Sequence, residues 1–379
     1  MVDVLIAGAG PAGSIAAIRL ARAGARVLLV DRARFPRDKL CGDTVNPGAM
    51  RVVERAGLRA RVESASLPLE GMLISSGSGV QVRGTYGPGV FARSLSRRVF
   101  DQLLVDAAIA AGVKFQDGVR VEAAIVDEAG GERRVRGAAL VCAGTRKRIR
   151  VPAALVIGAD GRRSALAIQL GLAAQPRGLR RWAIGAYFDG MAGLDTVGEM
   201  HVRGPHYLGI SPLESGIANV CLVAPAGEGF GDPARLLEAR LRADPLLGPR
   251  AVRARRVTGA VTLGPLAVDG RRPGLPGLLL AGDAAGFVDP MTGDGLSFAM
   301  RGAELAADVA LAALEDPAID APARLAAARA DAFATKLAVN RVLRRLVAST
   351  RAVNVVAAGA RIAPGLLREM IRYAGDVAA

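Results

Sequence analysis

A chain of 379 residues is long enough for two domains or one large composite one. Its formal charge of +15 suggests nucleic acid first, but the arginines are scattered, no dense basic block occurs and aromatics make up only 4%, so we read the charge as coding bias and exclude nucleic acid as a partner. Three cysteines without a CxxC pair argue against a disulfide framework and fit a reducing cytoplasm, and with two histidines in all a metal centre or a His-based triad is not expected.

Residues 2–31 form a complete β-α-β unit. Val4 to Ala7 reads as a buried strand, Gly8-Ala9-Gly10-Pro11-Ala12-Gly13 as a turn opening a helix, and Val27 to Val30 as a second strand ending in Asp31-Arg32. Gly8 permits the tight turn, Gly10 lets a pyrophosphate approach the backbone, and Gly13 allows close helix–strand packing. The helix start, at Pro11 and Ala12, offers free N–H groups and a positive dipole end. Asp31 stands where a carboxylate accepts hydrogen bonds from a ribose. The stretch points to a dinucleotide and leaves FAD or NAD open. The same apolar run rules against a signal peptide, since no basic segment precedes it and Asp3 interrupts it. No apolar run reaches the ~18–20 residues that span a bilayer.

A basic, turn-rich stretch containing Arg37, Lys39, Cys41 and Asp43 follows, then a helix over 49–56 closed by Gly57. Residues 66–92 alternate like short strands of a second, antiparallel sheet. Phe100, Leu103, Leu104 and Ala107 recur at helical spacing over 97–111. A strand at 113–115, a hairpin around Gly130-Gly131 that includes Val121, and a strand leading into Asp160-Gly161 come next. Residues 181–224 are strand-rich, with one face packed and one lining a cavity. Asp232-Pro233 caps a helix, and 255–264 read as a return strand. Residues 275–283 form a buried strand that ends in Gly282-Asp283. From Leu296 the chain is helical, with breaks expected at Pro317, Pro322 and Pro364.

The expected fold is α/β. A discontinuous Rossmann-like nucleotide domain comprises 1–65, 93–175 and 265–315. An inserted antiparallel sheet domain for substrate comprises 66–92 and 176–264, and a C-terminal helical segment comprises 316–379. The tail carries an apolar stripe of Phe333, Leu337, Val339, Leu343, Leu346 and Val347 beside Arg341, Arg344 and Arg345. Packing on the nucleotide domain is the preferred reading, and contact with a membrane surface is the alternative.

Residues 278–300, LLLAGDAAGFVDPMTGDGLSFAM, add a strand delivering Asp283 to a polyol hydroxyl, then a Pro290-Gly293-Gly295 loop opening the helix at Leu296. A helix start placed there suits the negative charge of a reduced flavin. With the first fingerprint, this resembles flavoproteins of the para-hydroxybenzoate hydroxylase fold. GADGRRSALA, with Asp160, Gly161 and Ser164, matches that superfamily's Asp-Gly motif, and Arg97 matches the Arg that usually touches its FAD.

Within the superfamily the chain resembles the geranylgeranyl reductase-like branch. PRDKLCGD (36–43) matches its PRxKxCG element, whose Cys lies beside the flavin ring, and DPMTGDG matches its DPxTGEG loop with Asp294 for Glu. The resemblance covers about residues 1–315. It implies resident FAD held by Gly8, Gly10, Pro11, Ala12, Gly13, Asp31, Arg32, Lys39, Cys41, Arg97, Val121, Asp160, Gly161, Gly282, Asp283, Pro290, Gly293, Gly295 and Leu296. It places the chemistry at Cys41, Gly293, Asp294, Gly295 and Tyr207. The family's YxWxFP stretch is here Tyr207-Leu208-Gly209-Ile210-Ser211-Pro212, so two large side chains are absent from the cavity wall and the pocket is expected to be wider or differently shaped. Cys142 and Cys221 lie in strands and read as core.

The function expected is FAD-dependent reduction of a C=C bond in a hydrophobic isoprenoid- or polyketide-like substrate. The alternative is a flavin monooxygenase for an aromatic or polyketide-like substrate, and a non-catalytic flavin-binding protein ranks last. No second GxGxxG marks a separate NAD(P) site, so NAD(P)H would donate electrons transiently or a protein reductant would serve. The expected location is the cytoplasm, with membrane association as the open alternative.

Overall fold

The computed structural model describes residues 2–129, 131–145, 147–176, 180–227, 230–347 and 349–377. In chain order the elements that matter for the site are β1 (Val2–Ala7), α1 (Pro11–Arg22), β2 (Val27–Val30), α2 (Pro47–Arg55), β3 (Gly71–Ser76), β4 (Gln81–Thr85), α3 (Arg97–Ala110), β5 (Lys114–Gln116), β6 (Val119–Ala129), β7 (Glu132–Cys142) and β8 (Arg148–Gly158). They continue with β9 (Arg181–Asp189), β10 (Val197–Val202), β11 (Tyr207–Pro212), β12 (Ala218–Pro225), α4 (Pro233–Ala243), β13 (Leu278–Leu280), α5 (Gly295–Glu315), α6 (Ala321–Val347), α7 (Thr350–Ile362) and α8 (Pro364–Ala374).

The first sheet runs β13-β8-β1-β2-β5, all parallel, with the β6–β7 hairpin added antiparallel to β8. The uninterrupted apolar run of β1 follows from this position. Val4 and Ile6 pack under α1, α2, α3 and α5, while Leu5 and Ala7 face a second core toward β6–β8. α3 starts where Ser96 accepts a hydrogen bond from the Val99 amide, and it buries Phe100 and Leu104 completely.

The second sheet runs β9-β12-β11-β10-β3-β4, antiparallel except between β10 and β3. Its alternation divides two faces. Ile184, Ala186, Phe188, Leu208, Ile210, Val220 and Leu222 form a core with α4, whose start is capped by Asp232. Ala183, Tyr207, Val223 and Val202 face the other way. One packed face and one cavity face are therefore both present, as the alternation implied.

Two local readings change. Residues 255–264 form two short pieces, Arg255–Arg256 and Val261–Leu263, which pair separately with β9 and not as one return strand. Pro322 does not break the tail. It sits in the first turn of α6, where its missing N–H costs nothing. The breaks at Pro317 and Pro364 are present, and an unexpected one falls at Ser349, which caps α7. Gly130, at the expected hairpin tip, lies outside the described residues.

Candidate functional site

The loop after β1 sets one end of the site. Gly8 has φ +97°, and a Cβ there would stand 2.5 Å from the Ala159 carbonyl oxygen. A Cβ on Gly13 would stand 1.8 Å from the Gly8 carbonyl oxygen. A Cβ on Gly10 would meet nothing closer than the Arg37 guanidinium tip at 3.4 Å. Two glycines are thus required by packing, and the third keeps open space over the start of α1. Asp31 closes the loop. Its carboxylate accepts from the Ala9 and Ala33 amides, each at 2.8 Å. Arg32 beside it is exposed.

Cations converge on this space. Arg97, at the start of α3, is buried and forms two bonds to Asp101 at 2.7 and 2.8 Å, while Arg37 reaches the same carboxylate at 2.9 Å. The Arg37 Nε is buried without a partner. Arg162 lies 3.8 Å from Asp283. Burial, helped by the neighbouring Arg97 charge, lowers the Lys39 amine to about 8. Asp160 follows β8 and is half-buried. Its Oδ2 accepts from the Ala165 amide at 3.0 Å, and its Oδ1 has no partner.

At the other end, Asp289 caps the Pro290–Thr292 turn through the Met291 amide, and Gly293 takes φ +70°. Tyr207, on β11, donates its hydroxyl to Asp289 at 2.7 Å. Arg181 pairs with the same carboxylate at 3.4 Å and stacks over the Tyr207 ring. Tyr207 therefore ties the second sheet to the turn.

Asp294 departs from its expected place. Its carboxyl is buried and turned from the cavity, accepting from Asn46 at 3.1 Å and Lys336 at 3.3 Å. Burial pushes it up to about 6 despite Lys336. Val121 also lies off the cavity, with its side chain packed in the core against β7.

The cavity has a volume of about 410 Å³, within the range of small-molecule sites. It runs from Gly10–Ala12, Lys39, Cys41, Arg97, Gly161, Gly282-Asp283, Pro290–Gly293, Gly295 and Leu296 into an apolar chamber. Met72, Ile74, Val82, Met200, Val202 and Val223 form the sheet wall of that chamber, and Leu343, Leu346, Val353, Leu367 and Met370 of the tail helices cover it. The tail stripe thus divides. Phe333 packs on Phe298 of α5, while Leu343 and Leu346 face the chamber. Among the expected site residues Gly10, Pro11, Ala12, Lys39, Cys41, Arg97, Gly161, Gly282, Asp283, Pro290, Gly293, Gly295, Leu296 and Tyr207 line this one cavity.

Several lining residues had no motif to mark them. Cys221 was expected in the core, yet its thiol lines the cavity and donates to the Cys41 carbonyl at 3.3 Å. Its place in the β12 alternation with Val223 was the available signal. Ser211 does not enlarge the pocket, because it is buried in hydroxyl contact with Ser94 at 2.7 Å and Thr44 at 3.1 Å. Gly209 does, since a Cβ there would have only contacts at 3.9 Å or beyond.

Residues 1–338 match the model of the FAD binding domain family. The chain belongs to that family. It is 31% identical over 329 residues to a menaquinone reductase of Mycolicibacterium smegmatis, covering 81% of this chain and 76% of the relative. It is likewise 31% identical over 327 residues to a digeranylgeranylglycerophospholipid reductase of Methanopyrus kandleri, covering 83% and 78%. A flavin-dependent brominase superposes with a TM-score of 0.85 at 21% identity, over 99% of this chain and 93% of that one, which shows the shared fold.

This FAD-binding oxidoreductase has a site that fits its cofactor. The open space at Gly10 would admit a pyrophosphate, and the buried cations around Lys39 lack enough anions of their own. The Arg37 guanidinium tip borders the same open space, 3.4 Å from where a Cβ on Gly10 would stand. Gly295 begins a 21-residue helix, whose first backbone N–H groups have no partner within the helix and suit an anion. Among the described residues no group of His, Cys, Asp and Glu is placed to hold a metal ion, and no helix is long and apolar enough to cross a membrane.

Proposed function

We propose that the protein reduces a C=C bond in the polyprenyl part of a lipid substrate. The continuity of the apolar chamber with the Cys41 and Gly293–Gly295 end of the cavity carries this reading. The two relatives support it by their names, menaquinone reductase and digeranylgeranylglycerophospholipid reductase. FAD would lie across the unit 1–65, 93–175 and 265–315, with Lys39, Arg97 and Arg162 around its phosphates and Asp31 and Asp283 on its sugar and polyol hydroxyls. When reduced, it supplies hydride. The Cys41 thiol, which lines that end of the cavity beside the Arg97 guanidinium, would donate the proton. The chamber wall excludes water from the reacting atoms and holds the chain by apolar burial. Gly209 leaves room for a head group wider than a linear prenyl chain.

Product mass tests the reading. Anaerobic incubation of reduced holoenzyme with a polyprenyl lipid should add two hydrogens. The same incubation in air would instead add one oxygen, with O₂ consumed, if the protein were a monooxygenase. Either NAD(P)H or a protein partner would supply the electrons.

The Lys39 ammonium should matter for cofactor affinity. Its free pKa is about 8, and an anion beside it favours the charged form, raising the pKa in the complex. Affinity is then full below pH 8 and falls as pH rises above it. Fluorescence titration of FAD from about pH 7 to about pH 9.5 should show the decline, and Lys39→Met should weaken binding and flatten the profile.

A lipid substrate also gives meaning to the outer side of the tail. Val355 and Leu366 are both 72% exposed on α7 and α8, the helices that cover the chamber, with Arg351 and Arg368 exposed on the same helices. We expect salt-sensitive co-sedimentation with anionic liposomes, weakened by Val355→Glu/Leu366→Glu. No binding at low salt would remove membrane contact from the reading.

A further inference from the structure

Asp43 ties together three parts of the site and has no motif-assigned role. It is 1% exposed, in the left-handed region at φ +53°, where a side chain other than glycine is strained. Its Oδ1 accepts from the Arg97 amide at 3.3 Å, which begins α3. Its Oδ2 accepts from the Tyr187 hydroxyl at 2.7 Å and from Asn219 Nδ2. The same Asn219 amide group donates to the Cys41 carbonyl at 2.8 Å, and Cys221 donates to that carbonyl as well. Tyr187 and Asn219 are cross-strand partners on β9 and β12.

We propose that Asp43 is a positioning residue: it clamps Cys41 and Arg97 in place against the second sheet, and it releases them when its carboxylate takes a proton. The ionised form offers lone pairs to three donors at once. The protonated form has one donor of its own, so a bond must reverse or break, and the Tyr187 hydroxyl is the partner able to turn and accept. Burial pushes the Asp43 carboxyl up to about 6, with Tyr187 and Asn219 opposing. The titratable and charged groups facing it are Arg97 on α3, Tyr187 on β9, Cys221 on β12, and Cys41 on its own segment. Strain at residue 43 favours release once the bonds are weakened.

The inference rests on the placement of Cys41 beside the flavin, and its test uses no substrate, so failure of the reductase reading is separately visible. In the holoenzyme at fixed pH 7.5, alkylation of Cys41 by iodoacetamide is followed by peptide mass, which separates it from Cys142 and Cys221. Asp43→Asn sets an amide donor against existing donors. It should speed Cys41 alkylation and raise the Kd for FAD, each by about tenfold or more. Tyr187→Phe keeps the Asn219 and Arg97 bonds and should give a smaller increase. The flavin absorption spectrum should titrate with a midpoint near 6 in the wild type. That midpoint should move upward in Tyr187→Phe, which lacks a bond to the ionised form, and should vanish in Asp43→Asn. If Asp43→Asn fails to fold, Tyr187→Phe and Asn219→Leu carry the same readouts. Unchanged alkylation together with an unmoved spectral midpoint in the variants that fold would overturn the proposal.

Discussion

Gly10→Ala should keep the fold and lose FAD, whereas Gly13→Ala should lose both. The two glycines lie three residues apart in one loop, yet their surroundings differ. A Cβ at Gly13 would come within 1.8 Å of a backbone oxygen, that of Gly8, so strand and helix would have to separate. The β1–α1 contact lies in the largest buried cluster, where Ile6, Ile15 and Ile18 have almost no exposed surface. Expanding such a site costs about 1–3 kcal/mol, often more where backbone must move. A Cβ at Gly10 meets only the far ends of Arg37 and Arg97, at 3.4 and 3.9 Å, which can yield. The apo protein should therefore melt close to the wild-type temperature. The added methyl instead occupies the space held open for the pyrophosphate, and the same 1–3 kcal/mol then appears as a roughly ten- to hundredfold rise in the FAD Kd. Thermal melting of apoprotein and fluorescence titration of FAD separate the two effects. Equal losses of stability in both variants would mean that Gly10 also serves packing and is not a cradle.

The nucleotide end was legible because its chemistry is confined to contiguous residues. A turn, a helix start and an acid after the second strand can be read from Gly8 to Asp31 without knowing what packs elsewhere. The same holds for Gly282-Asp283 and for Arg97 at the head of its helix. Side-chain direction was not legible. Asp294 and Gly293 are neighbours, yet the first turns toward Lys336 of the tail and the second borders the cavity. Tyr207 matched a motif position, but its bond to Asp289 spans 82 residues of sequence. Asp43 read as a turn residue because its partners Tyr187 and Asn219 lie 144 and 176 residues away. Long-range pairings of this kind leave no local period. The tail stripe shows the same difficulty: periodicity finds an apolar face, but what that face meets, core, cavity or lipid, depends on the other elements.

Asp289→Ala should be the most destabilising single change between the second sheet and the flavin-side turn. Arg181 and Tyr207 are each 2% exposed, and Asp289 is 7% exposed. Without the carboxylate the guanidinium keeps only the Pro205 carbonyl at 2.8 Å and the face of the Tyr207 ring. Its Nε is already buried and unpartnered. Removing one member of a buried ion pair costs about 3–5 kcal/mol, because the remaining charge is stranded. The Tyr207 hydroxyl loses its acceptor, and the Met291 amide loses its cap. Urea unfolding of the holoenzyme should show this loss, and FAD should bind more weakly because the Pro290–Gly293 turn is no longer held. Asp289→Asn, which keeps acceptors for Tyr207 and Met291 but not the charge, should fall between. A triple variant, Arg181→Met/Tyr207→Phe/Asp289→Leu, distinguishes energy from position. Replacing a buried ionic group entirely by apolar side chains of similar volume is often neutral for stability. The triple variant should therefore recover most of the stability that Asp289→Ala loses, yet still bind FAD weakly, since nothing caps the turn. If it recovered cofactor affinity as well, the trio would be holding the two sheets together without setting the shape of the turn.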